Sequence, residues 1–181
     1  MRRKNMLSSD VLESTGVNSA RCYQCGKCSA GCPLAGEMDF TSNTVMRMLQ
    51  VEEDAADRQL LQSQSIWLCV SCEMCISRCP MEIDIPKVMD YLRQKSLQEG
   101  LQSRKSNKNI IPFHRAFLDS IKYTGRLYEV GLVLGYKLRT LNLWQDLNIA
   151  PRMFLKGKLP LLPELVKGKK QLSNIFKKTK K

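Results

Sequence analysis

The sequence predicts an all-α fold, and three observations carry that prediction. Apolar residues recur at helical spacing, as in Val45, Met46 and Leu49, in Ile85, Val88, Met89 and Leu92, and in Phe113, Phe117, Ile121, Tyr128, Leu132 and Tyr136. The 36 residues between Cys32 and Cys69 (positions 33–68) read as helix. Proline and glycine stand where helices start and stop: Pro86 suits a first turn, and Gly16 and Gly100 suit C-terminal ends.

The elements follow in chain order. Residues 1–21 form a lead-in with one short helix, Ser9 to Ser14, ended by Gly16. A cluster of four cysteines comes next. Beyond Pro33 and Met38-Asp39-Phe40, a helix starts at Thr41–Asn43 and carries Val45, Met46, Met48 and Leu49. A second, from Glu53 to Gln62, carries Leu60 and Leu61. Trp67 and Leu68 lead into a second cysteine cluster. After Pro80, Ile83-Asp84-Ile85 echoes Met38-Asp39-Phe40 with a slip in register, and a helix runs on to Gly100. The first domain is therefore placed at 1–100. Residues 101–112 read as a polar linker and 113–147 as a helical docking segment. Gly125, Gly131 and Gly135 weaken that segment, so one helix or two both fit the pattern. Residues 148–181 form a basic tail, expected to be extended or partly disordered.

The chemistry lies in the cysteines. Cys22, Cys25, Cys28 and Cys32 precede Pro33; Cys69, Cys72, Cys75 and Cys79 precede Pro80; the chain holds no others. Both sets read C-x-x-C-x-x-C-x-x-x-C-P, each cysteine recurring 47 residues later, as Cys22 does at Cys69. A [4Fe-4S] cube takes one soft thiolate per iron, and ligands at i, i+3 and i+6 wrap one loop around a face of the cube. In two-cluster bacterial ferredoxins with this spacing, the fourth cysteine ligates the other cluster. The expected cofactors are two [4Fe-4S] clusters with crossed ligand sets: Cys22, Cys25, Cys28 and Cys79 for cluster 1, and Cys69, Cys72, Cys75 and Cys32 for cluster 2. Zinc sites pair C-x-x-C knuckles around a longer loop and do not fit, and a reducing cytosol disfavours disulfides. The helical gap selects an α-helical ferredoxin domain over the shorter, strand-containing type.

Charge and composition narrow the function. The net charge of +12 is uneven. Residues 1–100 carry 11 basic and 13 acidic side chains, 101–150 carry 8 and 3, and 151–181 carry 10 and 1. Cluster binding would take the first hundred residues to roughly −6. The lysines of the tail read as solvated or as a surface for an acidic partner, not as a nucleic-acid module. No glycine-rich phosphate loop is present. No apolar h-region follows Arg2-Arg3, and the run Val130–Tyr136 is too short to be a transmembrane segment, so a cytoplasmic location is expected. His114, the single histidine, reads as a structural or interface residue. Lys27 reads as either solvated or tuning, and Trp67 as core packing or a shield for a cluster.

Several stretches together resemble the C subunits of heterodisulfide reductases. They are Cys22-Tyr23-Gln24-Cys25-Gly26-Lys27-Cys28-Ser29-Ala30-Gly31-Cys32-Pro33, Trp67-Leu68-Cys69, Phe113-His114-Arg115-Ala116-Phe117 with Gly125-Arg126, and Phe154-Leu155-Lys156-Gly157-Lys158-Leu159-Pro160. The resemblance implies a non-catalytic relay with two [4Fe-4S] clusters inside a hetero-oligomer. Its partners in a heterodisulfide reductase-like complex would be a flavin-containing, iron–sulfur A-type protein and a B-type protein whose CCG domains cleave a disulfide, in methanogens that of coenzymes M and B. This chain has no CCG pair, so the disulfide chemistry falls to a partner, and no catalytic residue is expected here. The alternative is an iron–sulfur subunit of another flavin-dependent dehydrogenase, of glycerol-3-phosphate, glycolate or succinate/fumarate type.

Overall fold

A computed structural model describes residues 6–102 and 109–141, residues 153, 155, 156, 166 and 168, and the helix 169–178. The described residues form helices and turns with no strand, an all-α fold. They fall into two compact units, Met1–Asn107 and Lys108–Lys181.

In the first unit, α1 spans Leu7–Thr15 and stops at Gly16, whose φ of 74° is left-handed and whose N–H bonds Leu12 O. It begins two residues before the expected Ser9 because Asp57 Oδ2, distant in sequence, accepts from Leu7 N at 3.1 Å. One-turn helices α2 (Lys27–Ala30) and α6 (Met74–Ser77) sit inside the two cysteine motifs, where the sequence carries no helical signal. Between them lie α3 (Ser42–Val51), α4 (Asp54–Gln62) and one-turn α5 (Ser65–Leu68). Helix α7 (Ile85–Gln98) follows, with Pro86 in its first turn, where no backbone donor is needed.

Amphipathic packing builds the core. Val11, Val45, Met46, Leu49, Leu60, Ile66, Val88, Met89 and Leu92 are all fully buried. α7 packs on α1, α4 and α5, while α3 packs on α1, α2 and α4. Burying each large side chain contributes about 1.5–3 kcal/mol. Polar pins fix the register. Ser96 Oγ donates to Leu61 O at 2.7 Å, and Lys95 Nζ reaches Asp10 Oδ2 at 2.8 Å, tying α7 to α1. The hydrogen bond to Asp10 raises the Lys95 pKa.

The two aspartates that look alike in sequence do different work. Asp84 caps the helix that follows it, accepting from Lys87 N at 3.1 Å. Asp39 instead caps distant α5. It accepts from Ser65 N at 2.8 Å, Gln64 N at 2.9 Å, Phe40 N at 3.1 Å and the Ser65 hydroxyl. Burial pushes its carboxyl up, but these hydrogen bonds outweigh that and hold it below the usual carboxylate range.

The second unit holds α8 (Ile110–Thr124), α9 (Glu129–Thr140) and α10 (Lys169–Lys178). The apolar stripe is thus carried by two helices, broken at Gly125, which takes φ 88°. Ser120 Oγ accepts from Tyr128 N at 2.9 Å and shapes the turn. Phe113 meets Tyr136 edge-on at 6.1 Å between ring centroids. α8 starts inside the stretch read as linker, because Pro112 falls in its first turn and Ile111 is buried. Residues 103–108 of that linker and 142–147 of the docking segment lie outside the described residues. Within the stretch read as a tail, residues 169–178 are helical, which the sequence reading did not anticipate, with Leu172, Ile175 and Phe176 at helical spacing among lysines. Most of the remaining tail lies outside the described residues. No helix among the described residues is long and apolar enough to cross a membrane.

Candidate metal centre

The two cysteine motifs share one backbone path. Gln24 (φ 61°) and Gly26 (φ 75°) are left-handed on either side of Cys25. Ser71 (φ 52°) and Glu73 (φ 62°) take the same conformation around Cys72. Three of these four residues carry a Cβ, and each costs roughly 1–2 kcal/mol in that region. Both loops accept this strain to coil three cysteines around one space. One-turn helices α2 and α6 then carry Cys28 and Cys75, the third cysteine of each motif.

The eight cysteines surround two cavities. Cys22, Cys25, Cys28 and Cys79 line the first, with Met46 and Ile83 in its apolar wall. Cys32, Cys69, Cys72 and Cys75 line the second, beside Leu34 and Met38. Each cavity therefore takes three cysteines from one motif and the fourth from the other. Ile85, at 2% exposure, lines both and stands between them. Cys28 is buried, Cys25 and Cys72 are exposed, and the other five are half-buried.

The donors in each cavity suit a four-iron cube. Each cavity offers four thiols, one for each iron, in a largely apolar wall. Among the described residues, no three Cys, His, Asp or Glu side chains close on a single point that one metal ion could occupy. Corner ligation of a cube makes no such demand, since its thiolates bind different irons. Burial pushes the Cys28 thiol up, with hydrogen bonds from Ser29 pulling the other way. Burial, with Cys69 nearby, pushes Cys75 up to about 11. Without metal these two thiols hold their protons at neutral pH, so thiolate ligation would release them.

Other residues singled out in the sequence sit as follows. Trp67 is buried in α5 and lines neither cysteine cavity. Lys27 is exposed on α2, and His114 is exposed on α8, in the unit without cysteines. The residues that clamp the motifs from outside are not legible in the sequence. Gln50 Nε2 donates to Cys22 O at 2.6 Å, and the Arg93 guanidinium donates to Cys69 O and Ile66 O. Both come from the faces of long helices, where nothing in the sequence separates them from ordinary surface residues.

The likeness of residues 18–83 is to the family model described as a 4Fe-4S dicluster domain. The relatives narrow it. The chain is 37% identical over 93 residues to the C subunit of the ferredoxin:CoB-CoM heterodisulfide reductase of Methanosarcina acetivorans, covering 51% of this chain and 35% of that one. It is 30% identical over 116 residues to the second iron-sulfur C subunit of the CoB–CoM heterodisulfide reductase of Methanocaldococcus jannaschii, covering 62% and 58%. Over 95 residues it is 28% identical to the corresponding iron-sulfur C subunit of Methanopyrus kandleri, covering 52% and 48%. Over the matched segments the chain is thus similar to the iron–sulfur C subunits of heterodisulfide reductases, as the motif resemblance indicated. It spans between 35% and 58% of the length of these relatives.

Proposed function

We propose that this chain is the electron-relay subunit of a heterodisulfide reductase-like complex and acts in the cytoplasm. It would hold two [4Fe-4S] clusters, one on Cys22, Cys25, Cys28 and Cys79, the other on Cys69, Cys72, Cys75 and Cys32. Its partners would be a flavin-bearing A-type protein and a disulfide-cleaving B-type protein. Bound in such a cavity, a cube supplies a one-electron carrier. The residues of the chain do the rest. The clamped loops present the thiols, Met46, Ile83 and Leu34 keep the walls apolar, and Ile85 lines both cavities. The 113–147 segment would dock a partner, leaving the first unit free to exchange electrons.

The observation that carries the reading is the division of the eight cysteines into two fours, each drawn from both motifs. Anaerobic purification tests it. About eight irons and eight sulfides per chain are expected, with co-purification of proteins bearing flavin and CCG domains. Two zincs per chain would overturn the cluster reading. Recovery of a fumarate reductase-like flavoprotein would overturn the choice of complex.

A further inference from the structure

We infer that Gln24 tunes the redox potential of the cluster held by Cys22, and that Gln50 is the residue that positions it. The inference rests on the proposal that Cys22 is a cluster ligand. Gln24 Nε2 lies 3.4 Å from Cys22 Sγ and 3.4 Å from Gln50 Oε1. A primary amide has two N–H donors, so it makes both contacts at once. The orientation of the pair is fixed by its surroundings. Gln50 Nε2 is 2.9 Å from Ser19 O and 2.6 Å from Cys22 O, and two carbonyls can accept only from the nitrogen end of that amide. Gln50 therefore turns its oxygen toward Gln24. That oxygen demands a donor, so Gln24 presents its nitrogen, and the remaining N–H points at the Cys22 sulfur.

This arrangement is confined to one of the two sites. Ser29, in the same site, lies beside a second sulfur, with its hydroxyl 3.9 Å from Cys28 Sγ and 2.5 Å from Asn43 Oδ1. Among the described residues, no side chain donates to the sulfur of Cys32, Cys69, Cys72 or Cys75. The internal repeat supplies the comparison. At 47 residues on, Gln24 is replaced by Ser71 and Gln50 by Leu97. The backbone clamp persists, with Arg93 bonding Cys69 O as Gln50 bonds Cys22 O. Ser71 also keeps the left-handed conformation of Gln24. What the second site lacks, among the described residues, is a side-chain N–H directed at a ligand sulfur; backbone amides reach Cys75 there as they reach Cys28 in the first site. Hydrogen bonds to cluster sulfurs are among the determinants of potential, and a donor favours the more electron-rich, reduced form. Gln24 therefore raises the potential at its own site and leaves the other site alone. The side chain also fills space between the first cavity and an open surface depression, lining both beside Cys22 and Tyr23. The substitution that tests it must accordingly keep its bulk.

The test is an anaerobic redox titration of the full chain, followed by electron paramagnetic resonance. Wild type is expected to give two one-electron waves. Gln24→Leu should keep its iron and sulfide content and move one wave to lower potential, by roughly a tenfold change in the reduction equilibrium, or about 59 mV. Gln50→Leu should move the same wave in the same direction by less, since it touches no sulfur. Ser71→Ala should move neither. Two unmoved waves in a fully loaded Gln24→Leu protein, equal movement of both, or an upward shift would each overturn the inference. If Gln24→Leu fails to assemble its clusters, Gln50→Leu decides: an unmoved wave there overturns the inference too. A wild-type protein without two four-iron signals would instead remove the proposed function on which the inference stands.

Discussion

Removing the Asp39 carboxylate should cost far more than removing that of Asp84, although the sequence presents the two as equivalents. Asp39→Ala deletes the cap of α5, worth about 1 kcal/mol. It also strands the N–H and hydroxyl of Ser65, which is fully buried. Each unpaired buried group costs about 1–3 kcal/mol, with partial relief because Ser65 Oγ still accepts from Phe40 N at 2.8 Å. The sum is on the order of 2–4 kcal/mol. Asp84→Ala loses a single bond at an exposed helix start, about 1 kcal/mol. The loss at Asp39 falls on α5, which ends one residue before Cys69. Thermal unfolding of the anaerobic holoprotein, with cluster absorbance as a second probe, should place Asp39→Ala well below Asp84→Ala. The folded carboxyl is depressed, so its contribution is complete above the ordinary value of 3.8 and is lost as pH falls below that. The deficit of Asp39→Ala relative to wild type should therefore stay flat from about pH 5 to about pH 8. Equal destabilisation by the two alanines, or a deficit that shrinks steadily across that range, would refute the argument.

Crossed ligation can be read from pairs of serine variants. Cys79→Ser should lose the same spectroscopic component as Cys25→Ser, and Cys32→Ser the same one as Cys72→Ser; the opposite pairing would refute crossing. Gly125→Ala should destabilise the second unit by about 1–3 kcal/mol. Its φ is +88°, and an added Cβ would meet Val166 Cβ at 2.8 Å. Gly31→Ala should cost less, because its new Cβ meets only the far part of the exposed Arg78 side chain. Calorimetry on both variants checks the order. Met46→Ala, at a fully buried position in the wall of the first cavity, should cost about 2–5 kcal/mol and hasten bleaching of the cluster absorbance on warming.

The long helices are legible because their signals are local. Leu49, Leu60 and Met89 repeat at helical spacing, and Pro86, Gly16 and Gly125 mark ends. What is not legible is held by partners far along the chain. α1 begins early because Asp57 caps it, and the carboxylate of Asp39 reaches Ser65, 26 positions further along the chain. Helix α10 is hidden because its lysines look like a solvated tail until their spacing from Leu172, Ile175 and Phe176 is counted. At the candidate site the cysteines announce themselves by spacing alone. Gln24, Gln50 and Arg93 do not, since a glutamine or arginine on a loop or helix face acquires meaning only when the carbonyl or sulfur it reaches is known.

The interlocking of the two cavities bears on how such a protein is assembled and how it arose. Neither motif encloses a complete set of four cysteines by itself. A nascent chain that has made only the first motif has three corners of one site and one of the other, so on the proposed reading metal loading is a late, cooperative event that waits for residue 79. The same logic applies to ancestry. A forerunner with one motif could have filled both sites only by joining a second copy of itself, each copy lending its fourth cysteine to the other. The 47-residue repeat is what fusion of such a pair into one chain would leave behind.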